Sequence, residues 1–252
     1  MPGVLEQPTE ATGSRSWPRL VLFDLDDTLC DYAAARLVRL RIAFAGSDPA
    51  SPLVDGDVLD RLIAASLASQ PHGSDHFADL FQSHGVGDEQ AARWARDWYV
   101  ANRFHGLRLF PDALATVAAV RARSAGSPVR IGVITNGPAD VQREKVVLLG
   151  VDGVADFVLV SGEFGAWKPD PSIFLAALSM AAVSAGDAVM VGDSLEHDIA
   201  GARAVGIRTV WVDRGDRPRR HDDAMPDATI RSLAELPALL HRWQSAMWPL
   251  QK

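Results

Sequence analysis

The sequence predicts an α/β protein, a Rossmann-like parallel sheet with helices on both faces and a helical cap inserted after the first strand. Three observations carry this. From about Leu109 onward, short apolar runs alternate with helical patterns, the mark of successive βαβ units. Between Asp31 and about Arg108 strand-like runs disappear and helical spacing takes over. The first apolar run, Leu20 to Phe23, leads straight into Asp24, Asp26 and Asp27. Carboxylates crowded at the mouth of a buried strand repel one another and lose hydration, so something cationic has to offset them.

Taken in order, Met1 to Pro18 is rich in Pro, Gly, Ser, Thr and Glu and reads as a mobile tail. Residues 19–30 supply the first strand. The cap, 31–108, contains YAAARLVRLRIAF, VLDRLIAASLAS, FADLFQSHG and EQAARWARDWYVANRF, joined by the turns GSDPASP and SQPHGSD. The core resumes over 109–243 with VRIGVIT (Val129–Thr135), DFVLV (Asp156–Val160), DAVMVG (Asp187–Gly192) and RTVWV (Arg208–Val212). Between them lie the helical stretches ADVQREKVVLLG, PSIFLAALSMAA and EHDIAGARAVG, and after a short ATI comes a last helix, SLAELPALLHRW. Residues 244–252 read as a C-terminal tail.

Composition narrows the function. A chain of 252 residues with 48% apolar content can fill a real core, and a net charge of −7 argues against a nucleic acid polymer as partner. An anionic substrate stays open, because a bound cation can reverse the local sign. The single cysteine, Cys30, excludes an intrachain disulfide and fits a reducing cytoplasm. No apolar run is long enough for a membrane helix, and the N-terminus lacks a signal-peptide pattern. Nothing in the sequence assigns an oligomeric state. Only three of the 25 basic residues are lysines, Lys145, Lys168 and Lys252, so a lysine beside a motif carries unusual weight.

Ligands of open α/β sheets bind at the carboxyl ends of the strands. Those ends deliver Asp24 and Asp26, then Thr135 and Asn136, then Asp193 and Ser194 with Asp198 beyond, while the stretch after the third strand delivers Lys168. Such a set suits a divalent cation together with a phosphoryl group. Asp24 and Asp193 are hard oxygen donors suited to Mg²⁺. Residues two apart on an extended chain share a face, so Asp24 and Asp26 can address one substrate. Thr135 offers a hydroxyl donor, and Lys168 a point charge, to phosphoryl oxygens.

These motifs carry a resemblance. DLDDT, ITNG, WKPDPSIF and VGDSLEHDIAGARAVG resemble the four motifs of the haloacid dehalogenase superfamily, in order over Leu20 to Trp211, with the helical insert where that family's first type of cap sits. The resemblance implies a phosphatase in which Asp24 is the nucleophile that forms an aspartyl-phosphate and Asp26 the general acid and then base. It implies Mg²⁺ held by the Asp24 and Asp193 carboxylates and the Asp26 backbone carbonyl. Asp198 would orient metal-bound waters or Lys168 from outside the ligand set. Thr135 and Asn136 would hold the transferring group, with Lys168 stabilising it and the ionised Asp24.

Other residues read more plainly. Cys30 is expected to be a packed small side chain, Ser194 a helix-start or phosphate-adjacent residue, Asp27 a structural carboxylate, and Trp94, Trp98 and Tyr99 cap core. Tyr32, Phe104 and His105 flank the presumed hinges of the cap and are candidates for leaving-group contacts. Asp213 to Asp227 reads as a solvated loop. Asp26 and Asp193 argue against metal-free dehalogenation, and the absence of lysine from the cap argues against phosphonate hydrolysis. A sugar phosphomutase, or a non-catalytic binding protein on the same fold, remain the alternatives to hydrolysis of a small soluble phosphate such as a nucleotide, sugar or sugar-acid phosphate.

Overall fold

The computed structural model describes residues 17–46, 53–69, 76–122, 129–215, 220–221 and 223–245. Its strands β1 (Leu20–Phe23), β2 (Arg130–Thr135), β3 (Phe157–Val160), β4 (Ala188–Gly192), β5 (Arg208–Val212) and β6 (Ala228–Ile230) form one parallel sheet in the order β3-β2-β1-β4-β5-β6. β1 is central, with Leu20 beside Arg130 on one flank and Ala188 on the other. A parallel strand covered on both faces has no solvent side, which is why β1 and β4 read as continuous apolar runs and are buried throughout. The winding reverses direction at β1, and the crevice outside the carboxyl ends at such a reversal is where these sheets bind ligands.

The first four helices after β1 are α1 (Tyr32–Ala45), α2 (Gly56–Ala68), α3 (His76–Ser83) and α4 (Glu89–Ala101). They pack around a core of their own that includes Leu40, Phe44, Leu62, Phe77, Phe81 and Ala95. Phe44 is the hub, its ring centroid 5.6 Å from that of Phe77 and 5.7 Å from that of Phe81. The chain leaves the sheet and returns at one point. Asp31 N–H donates to the Arg108 carbonyl at 3.0 Å, and Cys30 and Leu109 form an antiparallel bridge. Trp94 stacks on Trp98, and Tyr99 packs against Phe77, as expected for helix packing within this unit.

The remaining helices cover the sheet. They are α5 (Ala113–Ala122), α6 (Ala139–Leu148), α7 (Ser161–Phe164), α8 (Pro171–Ala181), α9 (Gly201–Ala204) and α10 (Leu236–Ser245). Val21, Phe23, Val133 and Val191 face α5, α6 and α10, through Val117, Val146, Leu239 and Leu240. Leu20, Leu22 and Met190 face the other way, onto Ile173, Phe174 and Ala177 of α8, the alternation a strand imposes. Asp170 caps α8 by accepting from Ser172 N–H, with Pro171 at the first helical position, where its missing N–H costs nothing.

Four expectations need correcting. The tail expected over 1–18 does not take in Trp17, which is buried in the core with Val21 and Val129; residues 1–16 lie outside the described residues. The last helix runs on to Ser245 rather than stopping at 243. EHDIAGARAVG is not one α-helix but a π-helical turn, Leu195–Ala200, followed by α9. The loop from Asp213 is not wholly solvated, because Arg214 donates to the Thr28 carbonyl at 3.2 Å and lies 3.5 Å from the centroid of the Phe110 ring. Much of GSDPASP and SQPHGSD, and part of the loop from Asp213, lies outside the described residues.

Candidate active site

Asp24 follows β1 directly, and its N–H donates to the Val191 carbonyl at 3.0 Å, extending the sheet ladder by one residue. The Lys168 ammonium donates to Asp24 Oδ1 at 2.6 Å, to Asp198 Oδ1 at 2.7 Å and to the Ile134 carbonyl at 2.8 Å. Its three donors therefore have three oxygen partners. Burial alone would push this ammonium toward neutrality, but the charges of Asp198 and Asp24 win and raise its pKa well above the usual lysine range. Burial drives the Asp24 carboxyl upward; Lys168 opposes this, while Asp198, Asp193 and Asp26 add to it. Further positive charge at this spot would relieve that strain.

Asp198 reaches Lys168 because Gly192 is a glycine. A Cβ there would lie 2.3 Å from Asp198 Oδ2, far inside van der Waals contact. The second oxygen of Asp198 accepts from Ser194 N–H at 3.0 Å. Ser194 itself caps the π-helical turn through His197 N–H, so its place is at the start of that turn. Asp193 is held from behind by Trp211, whose indole N–H donates to the Asp193 carbonyl at 2.9 Å. Carboxylate oxygens of Asp24, Asp193 and Asp198 all lie within 4.8 Å of one another. An all-oxygen acidic cluster of this size could hold a hard divalent cation.

Thr135 is buried at the end of β2, where its Oγ1 accepts from Gln142 Nε2. A hydroxyl that accepts from Gln142 keeps its own hydrogen to donate. Asn136 lines the cleft beside Lys168, and its side-chain amide brackets the Lys168 backbone, with Nδ2 donating to the carbonyl and Oδ1 accepting from the N–H, both at 2.9 Å. Asn136 thus locks the lysine in place as well as facing the cleft.

Two residues around Asp26 escape a reading of motifs. Lys145 of α6 donates to Asp26 Oδ1 at 2.8 Å and to Oδ2 at 2.7 Å. Gln142, one turn earlier, donates to Asp26 Oδ2 at 3.2 Å. The scarcity of lysine in the chain was the available signal. Cys30 is fully buried, its thiol 3.5 Å from Asp26 Oδ1, and burial together with Asp26 raises its pKa steeply, which keeps it a thiol rather than a nucleophile. Asp27 adopts φ 58° and accepts from Ala33 N–H at 2.7 Å, tying the loop to α1. Tyr32, Phe104 and His105 meet Lys145, Arg103 and Trp98 respectively.

The carboxylates, Thr135 and Lys168 line a cleft of about 370 Å³. Beside it, sharing Asp27 and Asp193, is a cavity of about 520 Å³ walled by Leu37 and Leu67 of α1 and α2 and by Phe110, Trp211 and Arg214.

A family model for haloacid dehalogenase-like hydrolases matches residues 18–206. The phosphoserine phosphatase of Thermus thermophilus is 38% identical over 160 residues, 64% of this chain, which spans only 61% of that relative's length. The N-acylneuraminate-9-phosphatase of Homo sapiens is 30% identical over 237 residues, 88% of this chain and 93% of the relative. YfnB of Bacillus subtilis, crystallised bound to magnesium, superposes with a TM-score of 0.70 over 90% of this chain and 99% of its own, at 23% identity, a likeness of fold. The chain belongs to the haloacid dehalogenase superfamily of hydrolases.

Proposed function

We propose that the protein hydrolyses small soluble phosphate monoesters, with Mg²⁺, through an aspartyl-phosphate on Asp24. The observation that carries this reading is the Asp24 carboxylate, nearly sealed from solvent at a strand end, held by Lys168 and facing the carboxylate of Asp193. Both oxygens of Asp198 are engaged, by Lys168 and Ser194, so Asp24 and Asp193 are the fitting direct ligands, with the Asp26 backbone carbonyl, and Asp198 orients from outside. Mg²⁺ bound there would draw charge from the phosphoryl oxygens.

In the first step Asp24 attacks phosphorus, the ester P–O bond breaks, and Asp26 gives its proton to the departing oxygen. In the second, water attacks the aspartyl-phosphate and yields its proton to Asp26, releasing phosphate and restoring the Asp24 carboxylate. Lys168 and the Thr135 hydroxyl hold the transferring group through both steps, with Asn136 beside them.

The helices of 31–108 act as the cap, and the cavity beneath α1 and α2 receives the leaving group. Its size suits a small molecule, in keeping with relatives named for phosphoserine and N-acylneuraminate-9-phosphate. Among the described residues no helix is long and apolar enough to cross a membrane, and a single buried thiol suits a reducing cytoplasm.

The test is phosphate release from nucleoside monophosphates, sugar phosphates and small acid phosphates, with Mg²⁺ and with chelator. Metal-dependent release from one class is expected. No release from any, by a folded protein, would transfer weight to a phosphomutase or a binding role.

A further inference from the structure

Lys145 is a buried charge that the reaction does not use. It lies on α6 with its side chain almost wholly covered, and its ammonium donates to both oxygens of Asp26. Gln142, from the same helix, adds a third donor to that carboxylate. The outer face of the ammonium rests 4.3 Å from the centroid of the Tyr32 ring, and Tyr32 is the first residue of α1. A buried ammonium with one carboxylate and one ring around it fixes that carboxylate in place, because rotation of Asp26 would leave the charge unpaired.

We infer that Lys145 is a positioning residue for Asp26, holding its carboxyl group at the angle from which it serves the leaving oxygen. This rests on the phosphatase reading above. It also makes α6 and the first turn of α1 part of the acid's mounting.

The experiment compares kcat/KM, which reports formation of the aspartyl-phosphate, for an alkyl ester (phosphoserine) and for p-nitrophenyl phosphate, whose leaving group needs little proton assistance. Lys145→Met should lower the alkyl value by about 10- to 100-fold and the nitrophenyl value by less than about threefold. Asp26→Asn should show the same bias, and the double variant should be no worse than Asp26→Asn alone. Lys145→Arg, which keeps the charge, should recover part of the alkyl rate and serves if the methionine variant fails to fold. Equal losses on both esters, or additive losses in the double variant, would overturn the role of Lys145. Turnover of neither ester, nor of any ester in the panel above, by the folded wild type would instead bring down the phosphatase reading itself.

Discussion

Lys168 makes one bond toward each of three strand ends: Asp24 after β1, the Ile134 carbonyl in β2 and Asp198 after β4. Removing its charge strands two buried carboxylates, so Lys168→Met should cost about 3–5 kcal/mol, read by denaturant unfolding. Asp24→Asn should leave the fold intact while kcat falls by more than about 10³-fold; retained turnover would remove Asp24 as nucleophile. Asp193→Asn should raise the Mg²⁺ concentration needed for half-maximal activity by at least about tenfold, and an unchanged titration would exclude it as a ligand. That Asp24, Asp26 and Asp193 would meet at one sheet edge was legible because each sits at or just past the end of an apolar run, whereas Lys168, well past β3, was signalled by its motif WKPDPSIF and by the scarcity of lysine. The pairing of Lys145 was not legible, since ADVQREKVVLLG shows an ordinary amphipathic helix and its partner Asp26 lies 119 residues away. Contacts of that separation are set by how α6 docks, which no local pattern records.

Whole elements are aimed by single small residues. Gly192→Ala would drive a methyl group into the Asp198 carboxylate, so the side chain must swing away from Lys168. We expect a loss of about 1–3 kcal/mol together with reduced kcat; a variant of full stability and full activity would show that the turn has room after all. Asp112 links α5 to the start of the last helix, accepting from Ser232 Oγ at 2.6 Å and from Ala234 N–H at 3.3 Å. Its partial burial works toward a higher pKa, but the Ser232 and Ala234 bonds and Arg214 outweigh it and hold the carboxyl below its usual value. A depressed carboxylate stabilises the fold above its unfolded pKa, and that contribution fades as pH falls through the folded value. Asp112→Asn should therefore cost about 1–2 kcal/mol at neutral pH and progressively less below about pH 4; a penalty independent of pH in thermal unfolding would contradict this. The strands were legible almost to the residue because apolar runs in a parallel sheet stop where burial stops. The π-helical turn at Leu195–Ala200 was not, since one extra residue in a turn leaves the apolar spacing nearly unchanged.

At the scale of the whole chain, the exchange of strand signals for helical spacing after Asp31 announced the insert. The cavity beneath it was invisible, because Leu37, Leu67, Trp211 and Arg214 meet only once the insert rests on the sheet. That seating includes Arg103, which pairs with Asp140 and Glu144 of α6 and whose carbonyl accepts from Arg39. The pairs are solvent-exposed, so Arg103→Ala should shift stability by less than about 1 kcal/mol in chemical unfolding; a larger shift would mean the bridge bears on folding itself. The adjoining crossings at Cys30–Leu109 and Asp31–Arg108 have a consequence for how such proteins diversify. The two paired backbone positions are where the chain crosses between insert and sheet, so a helical insert from a relative spliced in there would leave strand register undisturbed, provided that it also met the side chains of Asp140, Glu144 and Lys145. If the cavity beneath α1 and α2 receives the leaving group as proposed, a chimaera carrying foreign helices there, with Tyr32 retained against Lys145, should keep its strand-end residues in place and acquire the donor's choice of alcohol.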